Sequence, residues 1–171
     1  MRLFIAFDVS KEVHDYFIEL QKKLPESKLT LTKSFHQTLK FLGEVTPDNA
    51  EKIKQLLTQV KFSSFTASLN RVGVFPENGK PRVVWIGLEP KDMICNLQKQ
   101  IDDALQGLFP KEKDFHPHIT LARIKDCEKS FKDQLAKIKV EHLSFEVTNF
   151  KLIESQLQST GPVYRDLAIF Q

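Results

Sequence analysis

His36-Gln37-Thr38-Leu39 and His118-Ile119-Thr120-Leu121 are one tetrapeptide pattern written twice, 82 residues apart. On a strand, residues i and i+2 share a face, so each histidine stands beside its own threonine and each leucine points the other way. Working outward from this pair, other positions recur at nearly the same spacing. Arg2 and Arg82 are 80 residues apart, Phe65 and Phe145 are 80, and Arg82 and Arg165 are 83. A period this long is too great for a solenoid repeat and suits two pseudo-symmetric lobes.

The elements between these anchors follow one order in both halves. Residues 2–8 read as a buried strand, and Ser10 caps a helix whose Val13, Phe17, Leu20 and Leu24 form one apolar face ended by Pro25. A strand over 35–42 follows. Thr46-Pro47 then opens a helix with Ile53, Leu56, Leu57 and Val60 as its buried stripe. A strand over 65–75 leads through a turn at 76–81 into a strand at 82–88. The series then restarts with a helix over 91–108, a strand over 117–123, a helix near 128–138 and a long strand over 143–153. A terminal strand, 165–170, echoes the first and fourth. The expected fold is α+β: a bilobal, pseudo-twofold duplication with two antiparallel sheets facing a central cleft and helices packed outside. A single bilobal domain over 1–171 is expected, with repeats at about 2–81 and 82–164.

Composition excludes several classes. With 171 residues, 41% hydrophobic and 27% charged, the chain is neither disordered nor in need of a disulfide or metal staple. Its longest apolar runs fall far short of the roughly 20 residues that span a bilayer. No secretory leader is read before Leu3, so a cytoplasmic location is expected, with Cys95 and Cys127 as reduced thiols. A net charge of +3 and a pI near 8.8 are compatible with an anionic ligand and do not establish one.

If the halves are related by a pseudo-dyad, two imidazoles and two hydroxyls line one anionic pocket. That set suits phosphoryl chemistry without a metal or other cofactor. One neutral imidazole takes a proton from the attacking oxygen, and one imidazolium gives a proton to the leaving oxygen. The hydroxyls of Thr38 and Thr120 donate to phosphate oxygens. Metal binding by His116-Pro117-His118 is a weaker reading, because no cysteine or carboxylate stands at ligand spacing. No nucleophile elbow and no phosphate-cradling glycine loop is present.

Arg2-Leu-Phe-Ile-Ala-Phe-Asp8, Phe35-His-Gln-Thr-Leu-Lys-Phe-Leu-Gly-Glu44 and Phe115-His-Pro-His-Ile-Thr-Leu-Ala-Arg123 together resemble the two-histidine (2H) phosphoesterase superfamily. More closely, they resemble its bacterial and archaeal RNA 2′,3′-cyclic phosphodiesterases, also called 2′-5′ RNA ligases. The resemblance implies metal-independent opening of RNA 2′,3′-cyclic phosphates to 2′-phosphate ends, with 2′-5′ ligation in reverse. It implies His36 as proton donor to the ribose 3′-oxygen, His118 as proton acceptor from water, Arg123 as a phosphate clamp and Phe41 as a stacking surface. Gln37 departs from the family pattern at a position expected to face away from the cleft, and residues 28–32 lack a tryptophan often found there.

Strict alternation aims Phe41 and Arg123 away from the histidines, so either reaches the cleft only if its strand twists, bulges or ends. Tyr164 and Arg165 are expected on a terminal loop that covers the cleft, with Tyr164 contacting substrate. Trp85 reads as core, His116 as a flanking residue, and His14 and His142 as surface. Lys33, Lys40, Lys80 and Arg82 are candidates for attracting an RNA backbone. The partner is an RNA end carrying a 2′,3′-cyclic phosphate, or a small nucleotide, taken by a monomer with no membrane association. The rival readings are a phosphodiesterase for small cyclic phosphates or 2′-5′ oligonucleotides, and a non-catalytic RNA-end or nucleotide-binding module.

Overall fold

A computed structural model describes residues 1–171. The chain order is β1 (Arg2–Asp8), α1 (Lys11–Lys22), β2 (Lys28–Leu31), β3 (His36–Glu44), α2 (Pro47–Leu57), β4 (Phe65–Glu77) and β5 (Lys80–Glu89). It continues with α3 (Lys91–Leu105), β6 (His118–Asp126), α4 (Phe131–Ala136), β7 (Ser144–Val147), β8 (Phe150–Gln158) and β9 (Gly161–Phe170). Two antiparallel sheets result, one ordered β3-β1-β8-β9 and the other β2-β6-β5-β4-β7. No helix is long and apolar enough to cross a membrane.

Local chemistry sets the helix starts. The Ser10 hydroxyl accepts from the Val13 N–H at 3.3 Å, and the Thr46 hydroxyl accepts from the Asn49 N–H at 3.3 Å with Pro47 in the first turn. Val13, Phe17 and Leu20 are buried along α1, and Ile53 and Leu57 along α2. Leu24 lies beyond the helix end and packs on the core from the loop. One core joins the helices to the outer faces of both sheets: Leu3, Ile5 and Phe7 from β1 meet the same cluster as Val84 and Ile86 from β5.

Four sequence expectations change. The turn at 76–81 shrinks to Asn78-Gly79, because both residues take positive φ (50° and 75°) and close a two-residue hairpin whose strands run to its edges. The expected strand 143–153 becomes two, parting at Thr148-Asn149 where the extended chain leaves one sheet for the other. The terminal strand starts at Gly161 rather than 165, so Tyr164 and Arg165 sit in a regular ladder and not on a covering loop. Residues 28–31, given no element by sequence, form β2 on the edge of the second sheet.

Neither sheet is made from one repeat alone. The long strand β4 of the first repeat lies beside β5, while β8 of the second lies beside β1. The β4–β7 ladder pairs Phe65 with Val147 and Ala67 with Phe145. Matching 65 to 145 exchanges these two pairs, so the pseudo-dyad passes through this ladder. The registers also correct one spacing. Ala6 faces Thr38 and Asp8 faces His36, while Trp85 faces Thr120 and Gly87 faces His118. Ala6 therefore corresponds to Trp85 and Asp8 to Gly87, which leaves the Arg2–Arg82 match one residue out of register.

Candidate active site

β3 and β6 carry the two tetrapeptides, and their nine residues share one pattern of burial position by position. His36 and Thr38 are half-buried on the cleft side of β3, and His118 and Thr120 are half-buried on the cleft side of β6. Leu39 and Leu121 are buried on the helix side. The two strands approach one another, and a single cavity is lined by Thr38 and Phe41 from one and His118 from the other, with His116 beside it. One side chain of each motif, Thr38 and His118, thus lines that cavity, while His36 and Thr120 are not among its lining residues.

Alternation breaks at the same place in both repeats. Opposite β3, the register of β1 steps from Ala6↔Thr38 to Ile5↔Lys40 and skips Leu39. Opposite β6, the register of β5 steps from Trp85↔Thr120 to Val84↔Ala122 and skips Leu121. Each bulge reverses the parity of the residues after it. Phe41, 68% exposed, and Arg123, also exposed, therefore stand on the histidine face that strict alternation denies them. The Leu121 carbonyl at the bulge accepts from Gln21 Nε2 of α1 at 2.7 Å and from the Thr32 N–H at 3.0 Å.

Aromatic rings surround His36. Phe4 of β1 lies beneath it at 4.9 Å, Tyr164 of β9 meets it edge-on at 5.4 Å, and Phe41 is 6.1 Å from Phe4. Burial lowers the His36 pKa below the ordinary histidine value, and the Asp8 carboxylate opposes that shift. Asp8 and Asp166 both accept from Lys151 Nζ, at 2.5 and 2.7 Å. Burial disfavours the Lys151 ammonium, but these two carboxylates outweigh it and hold the pKa above the usual value. Burial raises the Tyr164 phenol, and the Arg123 and Arg2 guanidiniums pull against it.

His118 is held differently. Its Nδ1 lies 2.6 Å from the His116 carbonyl oxygen. A carbonyl only accepts, so Nδ1 carries the hydrogen and the neutral ring leaves Nε2 as its free acceptor. Burial lowers its pKa, while the His116 carbonyl bond raises it. No group of three or more His, Cys, Asp or Glu side chains is placed to hold a metal ion.

Several candidates lie elsewhere. Lys40 is not available to an RNA backbone: its ammonium donates to Asp102 Oδ1 at 2.5 Å and to the Pro110 carbonyl at 2.8 Å, and its side chain is 2% exposed. Arg82 Nη1 donates to the Lys125 carbonyl, and Lys80 and Arg82 line a separate hollow that shares no residue with the cleft. Arg165 pairs with Glu154 in register, opposite in parity to Tyr164, and faces away from the histidines. Gln37 faces the helix side, fully buried. Trp85, expected in the core, lies half-buried on the cleft face instead. Sequence reasoning missed Phe4, Asp8 and Lys151. An unbroken apolar run conceals which face Phe4 takes, although Lys151 inside the apolar stretch 150–153 was a usable signal.

The description "2′-5′ RNA ligase superfamily" belongs to a family model that matches residues 12–158. An RNA 2′,3′-cyclic phosphodiesterase of Archaeoglobus fulgidus is 35% identical over 176 residues, covering 100% of both chains. The crystal structure of TT0787 of Thermus thermophilus superposes with a TM-score of 0.81 at 30% identity, covering 99% of this chain and 97% of that one. A crystal structure of Escherichia coli LigT complexed with 3′-AMP gives a TM-score of 0.76 at 26% identity, covering 99% and 96%.

Proposed function

The chain belongs to the 2′-5′ RNA ligase superfamily, and from that membership and the cleft we propose that it opens RNA 2′,3′-cyclic phosphate ends to 2′-phosphates. The observation that carries this reading is the pair of His-x-Thr strands with matching bulges and matching burial, of which Thr38 from one and His118 from the other line one cavity. All 171 residues act as one catalytic unit in this reading.

His118 accepts a proton from water at Nε2, and the oxygen attacks phosphorus. The bond from phosphorus to the ribose 3′-oxygen breaks, and His36 supplies that oxygen with a proton. The 2′-phosphate remains, beside a free 3′-hydroxyl. The asymmetry of Asp8 and Gly87 supports this division, because a carboxylate opposite His36 favours its charged, donating form. The backbone bond at His118 favours the tautomer that a base requires. Thr38 and Thr120 donate to the non-bridging oxygens, where charge accumulates. Arg123 clamps the phosphate, and Phe41 and Tyr164 hold the terminal base. No metal takes part in any of these steps. Joining a 5′-hydroxyl to the cyclic phosphate is the same chemistry with that hydroxyl in the place of water.

The test is incubation of a short RNA ending in a 2′,3′-cyclic phosphate in excess EDTA, with His36→Ala and His118→Ala alongside. Each variant is expected to lose about 10²–10⁴-fold, the range for one positioned proton transfer. A 3′-phosphate product overturns the assignment of the leaving oxygen. Dependence on an added divalent ion overturns the metal-free mechanism.

A further inference from the structure

The floor of the second sheet carries an aromatic group that hydrolysis of a terminal cyclic phosphate leaves without a task. Trp85 stands on β5 opposite Thr120, and its indole lies over Gly73 of β4. A Cβ on Gly73 would come within 2.4 Å of the indole Cζ2, so the slot exists because that position has no side chain. Arg71 sets its guanidinium over the ring, 5.4 Å from the centroid, and Phe75 packs beside it at 5.2 Å. The same Phe75 ring meets the His118 imidazole edge-on at 4.8 Å. The indole thus connects through one intervening ring to the residue assigned as base.

Trp85 is a poor choice as mere filling. Its Nε1–H is buried without an acceptor, a penalty that a leucine or phenylalanine in the same place would not carry. What tryptophan adds is a broad π-face, over which the exposed Arg71 sets its guanidinium carbon 5.4 Å from the ring centroid. A guanidinium stacked on an aromatic ring is itself a platform on which a nucleobase stacks. Around His36 the first sheet has its own aromatic set, Phe4 and Tyr164. A substrate with a single nucleoside fills only one of the two.

We propose that Arg71 and Trp85 form a second nucleoside subsite, for the nucleoside whose 5′-hydroxyl takes the place of water beside His118. This inference rests on the assignment of His118 as proton acceptor. With both subsites filled, the 5′-oxygen gives its proton to His118 and forms a bond to phosphorus. The bond from phosphorus to the 3′-oxygen breaks, and His36 protonates that oxygen. The product is a 2′-5′ phosphodiester, with no water consumed and no external energy source required. In the reverse direction, a 2′-5′-linked dinucleoside monophosphate is split into a cyclic phosphate and a free nucleoside.

Two measurements decide it. Wild type and Arg71→Ala are compared on adenosine 2′,3′-cyclic phosphate, which has one nucleoside, and on 2′-5′-linked diadenosine monophosphate, which has two. Arg71→Ala is expected to lower kcat/KM for the second substrate by at least about tenfold more than for the first. Equal losses on both, or wild type that hydrolyses the cyclic phosphate and never releases adenosine from the dinucleotide, overturn the subsite. A wild type inactive on the cyclic phosphate counts instead against the function proposed above. Trp85 is the only tryptophan, so its fluorescence reports this site independently of turnover. Adenosine is expected to quench it in wild type and to quench it less in Arg71→Ala, while identical titrations overturn the proposal.

Discussion

Asp8 faces His36 across the β1–β3 ladder, and the residue in that place opposite His118 is Gly87. The two halves match in burial and bulge yet differ in charge at the point where proton affinities are set. Both imidazoles ionise below the ordinary value of 6.5, chiefly because burial disfavours the cation.

The pH dependence of activity is set by these directions. With His36 as donor and His118 as acceptor, as proposed above, the free enzyme needs the first charged and the second neutral, so kcat/KM is expected to peak below pH 6.5 and to fall through neutrality as His36 loses its proton. The kcat profile lies at higher pH, because bound phosphate favours both imidazolium forms. Asp8→Asn removes the charge that supports the His36 cation, so its alkaline limb in kcat/KM moves to lower pH. A pH–rate series on both proteins checks this, and an unmoved limb counts against Asp8.

The same depression has a stability sign. Folded histidines that bind protons less readily than unfolded ones add stability that is present above pH 6.5 and lost as pH falls toward their folded values. His36→Ala and His118→Ala are therefore expected to lose less stability than wild type between pH 7 and pH 5. Denaturant midpoints across that interval measure it.

Lys40 and Asp102 form a buried pair, 2% and 4% exposed, between β3 and α3. Asp102 also accepts from Gln98 Nε2 and from the Glu112 N–H, both at 2.9 Å, so the pair ties down the loop that leads to His118. Lys40→Met leaves a buried carboxylate uncompensated and is expected to cost about 3–5 kcal/mol. Lys40→Met with Asp102→Asn should recover much of that, since asparagine still accepts from Glu112. Urea denaturation of the two variants decides between a charge effect and a packing effect.

Phe41 makes no ring contact with either motif histidine, whereas Tyr164 meets the His36 ring. Phe41→Ala is expected to raise KM for a cyclic mononucleotide by about 5–150-fold with kcat nearly constant, the signature of lost stacking. Tyr164→Leu should change kcat as well, because it removes a ring that packs against His36. Steady-state kinetics of the two variants separate these outcomes.

Much of the molecule is legible in the sequence, for identifiable reasons. The His-x-Thr pairs stand out because two short motifs recur in one frame, and the helices because Ser10 and Thr46-Pro47 mark their starts. The sheet change at Thr148-Asn149 leaves no trace, since no glycine or proline interrupts the run and alternation continues to Val147. The bulges at Leu39 and Leu121 depend on the neighbouring strand, so sequence states only the condition under which Phe41 and Arg123 enter the cleft. Lys40 looks like any surface lysine until Asp102, 62 residues away, is brought beside it. Trp85 reads as core because its concave location depends on the slot over Gly73.

The place of β8 in the first sheet also orders events in time. The strand that completes the sheet beneath His36 lies next to β1, with Ile5 opposite Leu152. During synthesis, β1 emerges well before this neighbour, with six strands and four helices between them. A nascent chain that already contains both histidines still lacks the strand supplying Ile153 under Phe4 and Lys151 beside Asp8. Closing so long a loop is slow, and the first sheet stays open until it closes. A chain ending before β8 would therefore carry both motif histidines yet lack the strand that lies beside β1 in the first sheet.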